Sequence, residues 1–261
     1  NADARVADAL VAYAHDVAAT QEPHRAVAAL AEATRILDNA KDSSSETRGW
    51  IALESANVQR YQSIPAMRRH AEAALLHFRS HPSAWTSRFH AMQAVARARF
   101  LAGDYAAAAA GHQAALAQAE REANGPTAWS ITPLVQMAEA QTALLQFDAA
   151  ERHLRTALAL AQRLAGDTSG MALQTQVKLA GLLHGGGQRD EAGRLLAHAQ
   201  AAIANNQPHA MPDAVGTVKR FAGWMAQGEG RIAQSEGFLA DEVADLRRQL
   251  PASLPLSRVL L

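Results

Sequence analysis

Apolar residues recur along most of the chain at spacings of three and four residues, which is the period of an amphipathic helix. The run Leu154, Leu158, Ala161 and Leu164 shows this pattern clearly. The pattern predicts pairs of helices, with a short turn inside each pair. The predicted first helices cover Ala7 to Thr20, Trp50 to Tyr61, Phe89 to Leu101, Pro133 to Leu145, Ala172 to His184 and Ala214 to Ala226. The predicted second helices cover Pro23 to Asn39, Pro65 to Phe78, Tyr105 to Glu122, Asp148 to Gly166, Arg189 to Ile203 and Arg231 to Gln249.

The segments between the pairs are polar and rich in turn-forming residues, so we interpret them as solvent-facing loops. They cover Asp38 to Arg48, Ser80 to Ser87, Ala123 to Thr127, Gly166 to Gly170 and Asn205 to Asp213. None of these segments is long enough or biased enough in composition to separate two domains. The serine-rich part of the first one is therefore interpreted as an ordinary loop rather than as a flexible linker.

The helix pairs share an internal repeat. The first alanine of the second helix falls at Ala108, Ala150 and Ala192, with 42 residues between neighbours. A step of 41 residues leads back from Ala108 to Met67, and a second one leads to Ala26. A step of 41 residues forward from Ala192 leads to Ala233, which Ala240 follows, so the series predicts six units. Alanine suits these positions because a methyl side chain lets two helix backbones approach closely. One pair cannot bury its apolar face alone, so the units are expected to be stable only as a stack.

Composition narrows the function classes further. The chain has 62 alanines among 261 residues, only 5% aromatic residues and no cysteine, and its 25 basic and 25 acidic residues cancel. Cysteine-ligated metal sites and disulfide scaffolds are thereby excluded. The zero net charge argues against a protein whose main task is to bind nucleic acid. No apolar stretch has the length of a membrane helix, so we expect a soluble piece without membrane insertion. Because the chain begins at Asn1, we expect a segment to have been removed or the chain to be part of a longer protein.

The repeat resembles the tetratricopeptide repeat (TPR). The resemblance is carried by Ala96, Gly103-Asp104-Tyr105, Ala108 and Ala115, and less fully by Ala138, Phe147, Ala150 and Ala157 and by Ala180, Gly187, Ala192 and Ala199. The usual TPR period is about 34 residues. The longer period here resembles the variant of kinesin light chains. The resemblance implies an all-α, right-handed superhelical solenoid of about six antiparallel helix pairs. The repeats are placed at about 7–39, 48–80, 89–122, 130–166, 172–204 and 214–249. The last is interpreted as a cap because Gly230 and Gly237 replace bulky residues, and 250–261 forms a tail.

A second similarity is to the helical-repeat regions of bacterial multidomain signalling proteins. It implies a protein- or peptide-binding module that is the sensory or scaffolding region of a larger protein, for example a membrane Ser/Thr kinase. The alternative is a ligand- or peptide-sensing effector domain of a transcription regulator. Neither interpretation requires an enzyme or a cofactor. A kinase tether would imply a periplasmic location and the alternative a cytoplasmic one. The tail either folds back over the last repeat or docks on a neighbouring chain as a homodimer contact.

In the family that the repeat resembles, the first helices line a concave groove, which here would run from Val11 to Met225. The groove residues that we expect to bind a peptide are His15, Gln59, His90, Gln93, Arg97, Glu139, Thr142, Gln174 and His184. Arginine, glutamine and glutamate can hold an extended peptide by side-chain hydrogen bonds. The family's carboxylate clamp needs lysine in the first helices, and none of these groove residues is a lysine. We therefore do not expect the chaperone tails that the clamp binds.

Other motifs have simpler interpretations. The histidines include His70, His77, His81 and His90, but no pair has the spacing and the neighbouring acid of a metal site, so none is predicted. Gly185-Gly186-Gly187 has no following Lys-Ser/Thr and no preceding strand, which favours a helix–helix turn over a phosphate loop. The four tryptophans, at positions 50, 85, 129 and 224, are interpreted as packing residues between repeats rather than as a ligand platform.

Overall fold

The computed structural model describes residues 2–19, 23–41, 46–60, 62–80, 85–205 and 212–249. In these ranges the chain forms helices and no strands, so the predicted all-α class is confirmed. The helices are α1 (Ala2–Ala19), α2 (Pro23–Asn39), α3 (Glu46–Gln59), α4 (Ile64–Arg79), α5 (Trp85–Leu101), α6 (Tyr105–Glu122), α7 (Ala128–Ala143), α8 (Phe147–Ala165), α9 (Gly170–Gly185), α10 (Arg189–Asn205), α11 (Pro212–Gly228) and α12 (Ile232–Gln249). None of these helices is both long and apolar enough to cross a bilayer. The predicted tail, 250–261, lies outside the described residues.

The first helix of each pair begins earlier than the apolar pattern predicted. Helix α7 shows the reason, because it begins at Ala128 and not at Pro133. The Thr127 hydroxyl accepts a hydrogen bond from the Trp129 amide, and the Ser130 hydroxyl accepts one from the Thr127 amide. This capping box satisfies amides that the helix itself leaves unpaired, so the helix starts upstream of its first strongly apolar stretch. Pro133 lies buried inside the helix.

The chain folds as two compact units, one up to Gln146 and the other from Phe147 onward. In the first unit each helix from α1 to α7 packs on a neighbour in the chain, and α1–α3 and α3–α5 contacts join successive first helices. In the second unit α8 to α12 pack in the same way, with α9 also contacting α11. Short turns make the two helices of a pair antiparallel. The predicted stack of helix pairs is therefore present within each unit.

The repeat alanines are fully buried in both units. The ten alanines that define the repeat in α2, α4, α6, α8 and α10 have no exposed surface: Ala26, Ala33, Ala71, Ala74, Ala108, Ala115, Ala150, Ala157, Ala192 and Ala199. A β-carbon added at Gly111 in α6 would lie 2.8 Å from the Ala96 β-carbon in α5, closer than two carbon atoms can pack. The prediction that small residues mark the helix–helix contacts is confirmed.

A left-handed residue ends the first helix in four pairs. Gly103, Gly187 and Gly230 have φ values of 83°, 84° and 75°, and Leu145 holds the same position with φ 60°. The amide of the following residue donates to the carbonyl oxygen five residues earlier in each case, at 2.8–3.0 Å. This is the Schellman ending, which favours glycine because a β-carbon strains a left-handed backbone. The interpretation of Gly185-Gly186-Gly187 as a helix–helix turn is confirmed.

The register predicted for the last repeat is wrong. Gly230 takes the turn position 43 residues after Gly187, so it is a helix-ending glycine and not a replacement for a bulky residue. Ser235 lies 43 residues after Ala192 and is 4% exposed, whereas Ala233 and Ala240 are exposed. The two-residue shift arises because the turn fixes the start of α12, and Ser235 then becomes its first small buried residue.

Candidate functional site

The first unit contains a cavity of about 710 Å³. Most of its wall comes from α1, α3 and α5, the first helices of three successive pairs, as the TPR resemblance implied. The residues that line it are Asp8, Val11, Ala12, His15, Asp16, Trp50, Leu53, Glu54, Asn57, Arg60, Met67, His90, Gln93, Ala94, Arg97 and Gln136. Its volume lies in the range of ligand pockets, roughly 300–1,000 Å³.

Four of the nine predicted site residues line this cavity: His15, His90, Gln93 and Arg97. A fifth, Glu139 of α7, forms an ion pair with Arg97, with Nη1 and Oε2 3.1 Å apart. Arg97 also lies over the Phe100 ring, 5.3 Å from its centroid. The prediction for α5 placed all its residues on the cavity side because His90, Gln93 and Arg97 are three and four residues apart on one helix face.

The other four predicted residues lie elsewhere. Gln59 is half-buried and outside the cavity lining. The Thr142 hydroxyl donates to the Ala138 carbonyl oxygen at 2.8 Å within α7. Gln174 and His184 belong to the second unit, where His184 packs against Trp224 with ring centroids 5.2 Å apart. Five of the nine residues therefore lie in the cavity wall of the first unit or pair with it.

Sequence reasoning missed the face that α3 turns toward the cavity. It favoured Gln59, but the wall is built from Trp50, Leu53, Glu54 and Asn57. Helix α3 begins at Glu46, and Gly49 packs on the Phe78 ring so closely that a β-carbon would lie 2.5 Å from it. This contact sets the rotation of the helix about its axis. The missed residues follow the i, i+3, i+4 and i+7 spacing of one helix face, which was a usable signal.

Polar contacts join successive first helices at the spacing of the repeat. The Thr47 hydroxyl donates to Asp8 Oδ1 at 2.5 Å, and His15 Nδ1 lies 3.1 Å from Glu54 Oε1, with 39 residues between the partners in each pair. The Ser87 hydroxyl donates to Glu46 Oε1 at 2.8 Å, and the Arg97–Glu139 ion pair spans 42 residues. These contacts position the side chains of the cavity wall relative to one another.

Glu54 is a buried carboxylate in this wall. It is 5% exposed, and its oxygens lie 3.1 Å from His15 Nδ1 and 3.1 Å from Asn57 Nδ2. Neither partner carries a permanent charge. A buried carboxylate is costly without hydrogen bonds or a counter-charge, so this position is electrostatically demanding. With Asp8 and Asp16 it makes the α1 and α3 side of the cavity acidic.

Two glutamines present unpaired polar atoms at the other side of the cavity. Gln93 Nε2 and Gln136 Oε1 are buried, and neither has a hydrogen-bond partner among the described residues. The Gln93 amide is oriented by His112, whose Nδ1 lies 2.5 Å from Gln93 Oε1. Burial lowers the pKa of His112 to about 4, so the ring is neutral at pH 7. Because an amide oxygen can only accept, the proton of this contact is on His112 Nδ1. The amide NH₂ of Gln93 therefore points away from His112.

Aromatic rings border the same cavity. The His90 ring lies 6.0 Å from the Trp50 ring and 5.4 Å from the Trp129 ring, and Trp129 also stacks edge-on with Trp85 at 5.7 Å. Desolvation lowers the pKa of His90, with an opposing effect from Glu54. The interpretation of the tryptophans as packing residues is confirmed for Trp85 and Trp129, which join α5 to α7. Trp50 packs on Phe78 and also forms part of the cavity wall.

No group of three or more metal-ligating side chains occurs among the described residues. The pKa values of His90 and His112 are lowered mainly by desolvation, and His112 is 1% exposed. The geometry offers hydrogen-bonding, charged and aromatic surfaces in one depression, which is an arrangement suited to binding.

Comparison with known proteins identifies the fold. No protein-family model matches the sequence, and no curated protein matches it. Among solved structures, a putative kinesin light chain with TPR-like repeats from Podosopora anserina matches with a TM-score of 0.65 and 19% identity, over 79% of this chain and 98% of that one. BtubC (BKLC) from P. vanneervenii matches with a TM-score of 0.62 and 18% identity over 98% of both chains. The Rap conjugation gene regulator of plasmid pLS20, in complex with the Phr* peptide, matches with a TM-score of 0.60 and 11% identity, over 94% of this chain and 73% of that one. This chain therefore has the fold of the TPR-like repeat proteins.

Proposed function

We propose that the chain is a protein- or peptide-binding module whose ligand lies as an extended segment in the cavity of the first unit. The observation that carries this proposal is the pair of unpaired buried atoms in the cavity wall, Gln93 Nε2 and Gln136 Oε1. A buried polar atom without a partner costs about 1–3 kcal/mol. A peptide supplies both a carbonyl acceptor and an amide donor, so its binding would recover this cost at both atoms.

The solved relatives support the proposal at the level of the fold. The Rap regulator of plasmid pLS20 was solved with a peptide bound. The described residues of the present chain also offer a depression formed by first helices, which is where an extended peptide finds several side chains at once. Binding without catalysis is part of the proposal.

Two larger contexts are compatible with such a module. The first is the sensory or scaffolding region of a bacterial signalling protein, for example the non-catalytic region of a membrane Ser/Thr kinase. The second is the effector domain of a transcription regulator, and the similarity to a conjugation gene regulator favours it. The kind of domain joined to the module would discriminate between them. A kinase domain with a membrane helix supports the first, and a helix-turn-helix or winged-helix domain supports the second.

The test is a peptide array probed with the purified chain, followed by calorimetry on the peptides that bind. The cavity variant reverses an ion pair, Arg97→Glu with Glu139→Arg. The matched control reverses the ion pair of α4, Arg68→Glu with Glu72→Arg, whose charged atoms are 3.8 Å apart on exposed side chains that do not line the cavity. Both variants keep composition and net charge.

We expect the cavity variant to lose about tenfold in affinity and the control to bind as the natural chain does, because only the first pair contributes to the cavity wall. Circular dichroism melts must show that both variants are folded. Absence of any bound peptide, or equal affinities for the two variants, would contradict the proposal.

A further inference from the structure

We infer that the cavity selects a positively charged peptide, with its cationic group against α1 and α3 and one main-chain amide held between Gln93 and Gln136. The inference rests on the proposed function, because it names the ligand chemistry of the same cavity. Three observations carry it: the charge of one wall, the orientation of the two glutamines, and the aromatic surface in the same cavity.

The α1 and α3 wall has an excess of negative charge. Asp8, Asp16 and Glu54 line it, against Arg60 and Arg97 in the whole cavity. The charge of Arg97 is already balanced by Glu139, 3.1 Å away. Within the described part of the chain, Asp16 makes no ion pair. An ammonium or guanidinium group entering this side of the cavity would therefore meet carboxylates that lack a full counter-charge, whereas an anionic group would be repelled.

Glu54 strengthens the case because it is buried. At 5% exposure its carboxylate has lost most of its hydration, and its polar contacts come from His15 and Asn57. Charge interactions are stronger where water is excluded. A ligand cation that approached Glu54 would thus gain more than one that approached a carboxylate on the outer surface.

The two glutamines are arranged to hold a peptide bond. Gln93 is 9% exposed, and its Oε1 is occupied by His112 at 2.5 Å, which leaves the Nε2 donor for a ligand. Gln136 presents the opposite function, a buried Oε1 acceptor without a partner among the described residues. A peptide main chain offers a carbonyl acceptor and an amide donor at every residue, so it can satisfy both atoms whatever its side chains are.

An aromatic surface lies in the same cavity. The Trp50 and His90 rings are 6.0 Å apart and both line the cavity. The aliphatic part of a lysine or arginine side chain can pack on such rings, and a cation near the face of tryptophan gains a further attraction. The cavity thus offers carboxylates and aromatic rings to a cationic side chain, and glutamines to its backbone.

The charge preference is tested with pools of short random peptides, acetylated and amidated at their ends, with one central residue fixed as Arg, Lys, Gln or Glu. Affinity of the full chain for each fluorescent pool is measured by anisotropy. We expect the Arg and Lys pools to bind about tenfold more tightly than the Glu pool, and the exposed change Asp16→Asn to reduce this ratio about threefold. The α4 variant Arg68→Glu with Glu72→Arg is the control and should leave the ratio unchanged.

Each outcome has a distinct meaning. Binding with no charge preference, or a preference for the Glu pool, overturns this inference and leaves the proposed function standing. Absence of binding by every pool overturns the proposed function and this inference with it. An unchanged ratio in Asp16→Asn, with the preference intact, contradicts the assignment of the acidic wall.

The amide contact is tested on a bound peptide by replacing each peptide bond in turn with an ester, which removes one N–H donor. We expect one position to lose about tenfold with the natural chain and to lose almost nothing with Gln136→Leu, since that variant lacks the acceptor. A merely structural role of Gln136 would not couple to one ester position. Equal ester effects in both proteins at every position would refute the contact.

Discussion

The contact between Gly111 in α6 and Ala96 in α5 predicts that a change of glycine to alanine will lower stability at Gly111, although the same change raises it at Gly193. Replacing glycine by alanine inside a helix normally stabilises a protein by about 1 kcal/mol, because alanine loses less backbone entropy on folding. Gly193 in α10 is such a position, since an added β-carbon there meets no atom within 4 Å. We expect Gly193→Ala to raise the free energy of unfolding by about that amount.

At Gly111 the same change must work against packing. The added β-carbon would lie 2.8 Å from the Ala96 β-carbon, where carbon atoms pack at about 3.5–4.0 Å. The two helices must separate by roughly the difference, and such overpacking typically costs about 1–3 kcal/mol. After the propensity gain is subtracted, Gly111→Ala should lower the free energy of unfolding by up to about 2 kcal/mol.

The control that isolates the clash is the exchanged pair Gly111→Ala with Ala96→Gly, which moves the methyl group from one helix to the other. The double variant should recover about 1–3 kcal/mol relative to the sum of the two single changes. Urea unfolding is followed by circular dichroism and by tryptophan fluorescence, because Trp50, Trp85 and Trp129 lie in the first unit and Trp224 in the second. If Gly111→Ala is as stabilising as Gly193→Ala, the close approach of α5 and α6 is refuted.

Three further predictions concern a turn, a buried ring and a helix cap. Leu145→Gly should raise the free energy of unfolding by about 0.5–1 kcal/mol, because it relieves the left-handed backbone strain of a leucine that is 74% exposed. Gly103→Ala should lower the free energy of unfolding, because it introduces the same strain. Urea titration measures both, and a loss of stability in Leu145→Gly would contradict the prediction. The pKa of His112 is about 4 in the folded chain and ordinarily 6.5, so as the pH falls the unfolded chain binds the proton first. The free energy of unfolding should therefore fall by about 3 kcal/mol as the pH is lowered from 6.5 to 4. His112→Gln should remove that part of the slope in urea titrations across this range, and an unchanged slope would show that another group is responsible. Thr127→Ala should cost about 1 kcal/mol in a thermal melt because the capping box of α7 is lost, whereas Thr156→Ala on the exposed face of α8 should change the midpoint little.

The sequence predicted the helices and their contacts well because those depend on local and periodic features. Ala108, Ala150 and Ala192 recur at a constant interval, and glycine at Gly103 and Gly187 marks a backbone that other residues adopt only with strain. The same logic failed at Leu145, where the left-handed turn is present without its glycine. It also failed in the last repeat, because the interval changes there to 43 residues.

The cavity was less predictable because it depends on the rotation of each helix about its axis. His90, Gln93 and Arg97 were placed on the correct face, whereas Glu54 was missed, since the packing of Gly49 on Phe78 turns α3 by a contact between distant parts of the chain. Gln136 was missed although it lies one turn before Glu139. A buried carboxylate or amide contradicts the simple rule that polar residues face solvent, so only the assembled walls reveal it.

The polar contacts between successive first helices also limit how this array can change in evolution. Repeat arrays commonly grow or shrink when unequal recombination adds or removes one copy. Loss of the residues that form α3 and α4 would make α5 the neighbour of α1, so Asp8 would lose the Thr47 hydroxyl and His15 would lose Glu54. Each first helix thus carries partners for one specific neighbour. The copies share a fold but are not interchangeable, because these contacts depend on their order along the chain.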